Sequence, residues 1–171
     1  EIYCIYTVDV KINNEERILK KTGQKGVTLT PNLTYAEVQS GTEKMAHRPV
    51  IIGAGPAGLF AGLILAEAGY RPIILERGEM VDVRTAKVNQ FWEKGIFDPE
   101  SNVQFGEGGA GTFSDGKLTS LIHDKRCRKV LEEFVEAGAP AETLYSSKPH
   151  LGTDLLKTIV KNIREKIIKN G

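Results

Sequence analysis

The stretch Val50-Ile51-Ile52-Gly53-Ala54-Gly55-Pro56-Ala57-Gly58, read with the apolar run that follows it to Glu76, decides the fold of this chain. Val50-Ile51-Ile52 is short, β-branched and continuous, which predicts a buried strand. Gly53-x-Gly55-x-x-Gly58 predicts a tight turn opening into a helix over Leu59–Ala68. Pro56 suits the first turn, where its missing N–H costs nothing, and Gly69 suits the residue just past the end. Pro72–Leu75 predicts a second apolar strand. Continuous apolar strands flanking a helix indicate a parallel α/β sheet covered on both faces.

Strand, glycine turn, helix and strand in that order form a dinucleotide fingerprint. The three glycines alone are a weak signal; their place between strand and helix gives them weight. Gly53 permits the turn, Gly55 lets the backbone approach a pyrophosphate, and Gly58 lets the helix pack on the strand. The first turn, Pro56-Ala57-Gly58, offers the free N–H groups of Ala57 and Gly58 and the positive end of the helix dipole to phosphates. Glu76 lies 23 residues after Gly53. As the acidic partner it accepts hydrogen bonds from both ribose hydroxyls and repels a 2′-phosphate; otherwise it is a surface carboxylate after a buried strand. Arg77 lies along an adenine or faces solvent.

Pro49–Ala66 is also 18 consecutive uncharged residues, long enough to suggest a membrane span. Pro49, Gly53, Gly55 and Pro56 would break such a helix, so no membrane partner is expected.

A second glycine cluster follows: Phe105-Gly106-Glu107-Gly108-Gly109-Ala110-Gly111-Thr112-Phe113-Ser114-Asp115-Gly116-Lys117, five glycines in thirteen residues. Phe105, Phe113 and Leu118 distinguish it from a flexible linker. Small residues let the main chain lie against a flat ligand or a diphosphate. Thr112 and Ser114 are candidate donors.

The first cluster with Gly62, the strand end Leu75-Glu76-Arg77-Gly78 and the second cluster together resemble the bacterial NAD(FAD)-utilising dehydrogenases. The second cluster is the most specific part, and the resemblance runs roughly from Asp9 to the last residue. It implies a Rossmann-type, glutathione-reductase-like FAD-binding domain with FAD as cofactor. The residues expected to hold FAD are Gly53, Gly55, Pro56, Ala57, Gly58, Glu76 and Arg77, then Gly108, Gly109, Ala110, Gly111, Thr112, Phe113 and Ser114. Lys117 either balances a reduced flavin or lies at the surface. The implied activity is an FAD-dependent oxidoreductase with an unknown small-molecule substrate and NAD(P)H as electron donor in the full-length protein. No catalytic side chain is named.

Family members are longer, so residues 47–171 are expected to be the N-terminal part of that domain. A further adenine-contacting strand, a closing segment and a substrate domain would lie in the rest of the polypeptide, and this chain alone is expected to be inactive. Two other readings stand beside it: a non-catalytic FAD- or nucleotide-binding module, and an NAD-binding dehydrogenase half-domain.

The remaining sequence narrows the field. In 171 residues, 23 Lys+Arg face 22 Asp+Glu, a net charge of +1 that excludes a polybasic nucleic-acid binder. Apolar residues at 40% exclude wholesale disorder. Cys4 and Cys127 read as free thiols of a reducing, cytoplasmic compartment. His47, His123 and His150 lack metal-ligand spacing, and no metal is expected. Ile2–Ile12 alternates with period 2, predicting a strand; Arg17–Lys21 and Gly26–Thr30 are further strand candidates, making residues 1–46 a β-rich appendage and connector. Helices are predicted over Asp82–Lys94, with Val83, Val88, Phe91 and Trp92 available for burial, over Lys125–Ala137, and over Asp154–Lys169 with Thr153 as N-cap. The last has an apolar stripe of Leu156, Ile159, Val160, Ile163 and Ile167; Lys157, Lys161 and Arg164 lie off it, as an anion patch or, the favoured reading, a solvated face.

Overall fold

The computed structural model describes residues 2–22, 26–114, 116–118, 122, 124–146 and 148–171. The chain forms two compact units, Glu1–Leu33 and Thr34–Gly171.

The first unit corrects the β-rich expectation. Its regular element is a helix, α1 (Glu15–Thr22), and no strand occurs among its described residues. Glu15 and Glu16 in the first turn and Lys20 and Lys21 in the last complement the helix dipole. Arg17, Leu19 and the lysines are good helix formers, so local preference overrides the strand reading of Arg17–Lys21. The alternating segment before it has no partner strand among the described residues. Its apolar side chains stay exposed, Ile2, Ile5 and Val8 among them. Thr30 Oγ1 donates to the Asp9 carboxylate at 3.0 Å.

The second unit is built on β1 (Val50–Ile52), α2 (Pro56–Glu67) and β2 (Ile73–Leu75). β1 and β2 pair in parallel, Val50 with Ile73, Ile51 with Ile74 and Ile52 with Leu75. The apolar run at 49–66 is thus strand, turn and helix, and no helix among the described residues is long and apolar enough to cross a membrane. α2 ends as the sequence predicts: Gly69 takes φ +80°, Gly69 N–H donates to Ala66 O and Tyr70 N–H to Leu65 O. That pair of bonds satisfies the last carbonyls.

α3 (Val81–Lys94), α4 (Arg126–Glu136) and α5 (Thr153–Lys169) follow, with short 3-10 turns at Ala110–Phe113 and Ala141–Leu144. The α5 stripe is buried at all five positions. Leu59, Leu63 and Ala66 of α2 share the core with it. Gly62 allows the close approach: a Cβ there would strike the Ile74 side chain. Thr153 is the first residue of α5 and Gly152 its N-cap, one position earlier than expected.

Two burial expectations are corrected. α3 buries Val81, Arg84 and Val88, while Val83, Phe91 and Trp92 are exposed. The 81/84/88 stripe is the one that faces the rest of the unit. Phe91 instead meets Phe97 edge-on at 5.7 Å, and Trp92 meets Phe113 at 6.4 Å. The sheet is also covered on one face only among the described residues. Ile51 and Ile74 face inward; Val50, Ile52, Ile73 and Leu75 are exposed.

An ionic clasp ties α2, α4 and α5. Lys129 reaches Glu133 at 2.6 Å and Glu67 at 3.1 Å; Lys166 reaches Glu133 at 2.7 Å, Glu136 at 2.9 Å and Glu67 at 3.1 Å. Glu133 is buried. Burial disfavours the charged forms of Lys129 and Lys166, but the carboxylates outweigh it and raise both ammonium pKa values. Burial likewise opposes the Glu67 charge, and the two lysines overcome it and hold its carboxyl below the ordinary value.

Candidate functional site

Three backbone segments converge at the start of α2. Gly53, at φ +96°, turns the chain out of β1, and its N–H donates to Leu75 O at 2.6 Å. An L side chain is strained at that φ, so the turn requires glycine. Ala54 is the junction. Its N–H donates to Glu76 Oε2 at 2.6 Å, and its carbonyl accepts from Gly108 N–H at 2.8 Å. Glu76 Oε1 also accepts from Gly78 N–H at 2.8 Å. A carboxylate has about four acceptor sites, so Glu76 retains capacity for ligand hydroxyls while bracing the turn.

The glycines of the first cluster divide by environment. A Cβ on Gly53 or Gly55 would meet nothing within 4 Å, whereas one on Gly58 would run into the Gly53 carbonyl. The first two leave open space beside the main chain, and the third is a packing residue. The amides of Ala57 and Gly58 have no backbone acceptor among the described residues. They stand free at the positive end of α2, the arrangement that receives phosphate.

The second cluster lies against the first. A Cβ on Gly109 would sit 3.1 Å from Pro56 Cδ and 3.5 Å from Gly55 Cα. Ala110–Phe113 then forms its 3-10 turn, closed by Ser114, whose Oγ donates to Gly111 O at 2.9 Å. Ala110, Gly111 and Ser114 are exposed. Thr112 is 2% exposed, and its hydroxyl has no hydrogen-bond partner among the described residues. Phe113 turns inward, its ring 4.7 Å from the Arg84 guanidinium and 5.2 Å from Lys157 Nζ. Gly116–Leu118 pairs with Pro149–Leu151, through Leu118 N–H to Pro149 O at 3.1 Å and Leu151 N–H to Gly116 O at 2.9 Å. Asp115 and His123 lie outside the described residues. Arg77 is engaged locally, 3.0 Å from Glu100 and stacked 4.5 Å from the Phe105 ring.

Two functional candidates escaped the sequence reading. Arg84 is fully buried among the carbonyls of the second cluster. Burial lowers its pKa, opposed by the charges of Glu76 and Glu107. Its place between Val81 and Val88 on one helix face was the available signal. Glu107 is 4% exposed; it accepts from Val81 N–H at the start of α3 and from Arg164, both at 2.6 Å. Arg164 is therefore not on a solvated face, as its spacing had suggested. Nothing in the local sequence marks Glu107.

Cavities open on both sides of the α2 start. One of about 530 Å³ borders Ala54, Glu76 and Gly78; another of about 650 Å³ borders Pro56, Gly111, Thr112 and Ser114. Both volumes suit small-molecule ligands. No group of three or more His, Cys, Asp or Glu able to hold a metal occurs among the described residues, and Cys4 and Cys127 are free.

Residues 48–90 match the FAD binding domain family. The cofactor this match specifies is FAD, and the matched segment contains β1, the glycine turn, α2, β2 and Glu76. Open space at Gly53 and Gly55, unsatisfied amides at the α2 start and the orphan Thr112 hydroxyl all fit such a group. The chain is also 52% identical over its full 171 residues to an uncharacterized protein of Clostridium beijerinckii. It spans 32% of the length of that curated relative.

Proposed function

We propose that residues 47–171 are the N-terminal part of a glutathione-reductase-like FAD-binding domain, with residues 1–46 as appendage and connector, in an FAD-dependent oxidoreductase of dehydrogenase type. The observation that carries this reading is the meeting of both glycine clusters at Ala54, where Gly108 N–H bonds the Ala54 carbonyl at 2.8 Å. One site then serves a long ligand from two sides. The α2 amides and the open backbone at Gly55 receive the pyrophosphate. Glu76 uses its spare acceptor capacity for ribose hydroxyls. Gly108–Ser114 borders the other end of the cofactor, with the Thr112 hydroxyl available to it.

FAD supplies the hydride and electron chemistry when bound, and the chain binds, orients and shields it. The substrate is a small molecule, and NAD(P)H is the proposed electron donor of the full-length protein. The test is anaerobic mixing of full-length, flavin-loaded protein with NADH or NADPH while the flavin absorption is followed. Bleaching at a rate that saturates with donor supports the oxidoreductase. A flavin that no donor reduces, nicotinamide or substrate, favours a protein that uses FAD as a structural or sensing group.

A further inference from the structure

The second glycine cluster packs around one buried side chain. Arg84 projects from α3 and is 0% exposed. Its Nε donates to Asn102 O at 2.8 Å and its Nη2 to Val103 O at 2.9 Å. Its Nη1 faces three carbonyls, those of Glu107 at 2.6 Å, Gly109 at 2.9 Å and Gly106 at 3.4 Å. Five carbonyls thus converge on one guanidinium. The glycines that make this convergence possible are not spaced for a ligand: a Cβ on Gly106 would lie 2.6 Å from Arg84 Cδ, and one on Gly108 would strike Thr112 Oγ1.

We infer that Arg84 is the positioning residue of the cofactor loop: it fixes the carbonyls of Asn102, Val103, Gly106, Glu107 and Gly109 inward, so that Gly108 bonds Ala54 and Gly109 lies on Pro56. This rests on the reading of Gly108–Ser114 as a cofactor-facing segment. The requirement is for arginine in particular. Guanidinium presents five N–H donors in a planar fork, whereas a lysine ammonium has three donors at one point and cannot reach carbonyls on both sides of the fork. Arg84 acts through the loop and does not itself touch the cofactor.

The experiment uses the full-length protein with Arg84→Lys, which keeps a cation and the fold, and Arg84→Ala. Amide hydrogen exchange of the cofactor-free protein reads the loop directly, and FAD titration reads its consequence. The expected result for both variants is exchange at least tenfold faster over residues 102–112, with α2 and α5 unchanged, and FAD affinity reduced at least tenfold. Guanidinium ion at millimolar concentration should restore loop protection and FAD affinity to Arg84→Ala, while urea at the same concentration should not. A general loss of fold would look different, speeding exchange in α2 and α5 as well. Parental exchange and affinity in Arg84→Lys overturn the inference, as does a loosened loop with unchanged FAD affinity. Failure of the underlying site reading looks different: Gly55→Val would then retain parental flavin content whatever Arg84 does.

Discussion

The two glycine clusters look alike in sequence and do different work. In the first, Gly53 and Gly55 face open space, and Gly58 alone of the fingerprint is closed in, against the Gly53 carbonyl. In the second, Gly106 is filled against Arg84, Gly108 against Thr112, Gly109 against Pro56 and Gly116 against the Leu151 carbonyl; Gly111 is the open one. The first cluster leaves its backbone clear at Gly53 and Gly55. The second mostly uses the missing side chains to pack tightly against other parts of the protein. A glycine-rich motif is therefore a statement about close approach, and only the structure says whether a ligand or the protein is what approaches.

The sharpest break of this comparison is Gly55→Val. A valine there has room in the protein but stands where the proposed site puts the pyrophosphate. FAD retention should be lost, by more than a hundredfold in affinity, while the urea midpoint of the cofactor-free protein stays near the parent. Flavin content after desalting, beside an unfolding curve, checks both halves. Glu76→Ala should come next, weakening FAD by about 2 kcal/mol through lost charge-assisted hydrogen bonds, with a smaller loss of apo stability from the freed Ala54 and Gly78 amides. Isothermal titration of the variant reads it.

Gly106→Ala tests the other side. Its φ of +117° and its contact with Arg84 predict a loss of about 1–3 kcal/mol in the cofactor-free protein. Urea unfolding measures it, and an unchanged midpoint would mean that the second cluster is not packed as described.

The smallest effect concerns pH. Glu67 is held below its ordinary 4.5, so its contribution is present above that value and is lost as pH falls through its lowered pKa. Lys129 and Lys166 are raised above 10.5, so theirs is present below 10.5 and is lost as pH rises through the raised values. Apo stability should be flat between about pH 5 and 10 and decline on both sides. The clasp touches neither cluster, so the same profile should appear in Gly55→Val and Gly106→Ala. A changed profile in the second would make clasp and cluster one cooperative unit.

What was legible in the sequence was what short-range pattern dictates. The β1–turn–α2–β2 unit follows from adjacent residues, and the α5 stripe from apolar spacing alone. Glu76 was legible as the acid at the end of β2; its bonds to Ala54 and Gly78 were not. The N-terminal alternation misled because period 2 states a preference for a strand, and a strand exists only with a partner. Arg84 and Glu107 were missed for a related reason. Buried charges are satisfied by groups distant in sequence, here five carbonyls between Asn102 and Gly109 for Arg84 and the Val81 amide and Arg164 for Glu107, and no local pattern encodes those meetings.

Trp92 is the chain's one tryptophan, and it sits edge-on against Phe113, the last residue of the 3-10 turn in the second cluster. Its emission therefore originates at the loop that Arg84 fastens. Flavins absorb where tryptophan emits, so a flavin settling over that loop would drain the indole's excited state by energy transfer. Within these 171 residues Trp92 is thus an intrinsic probe: quenched steady-state emission would report a flavin at that loop, and the excited-state lifetime would separate a closed loop from a loose one.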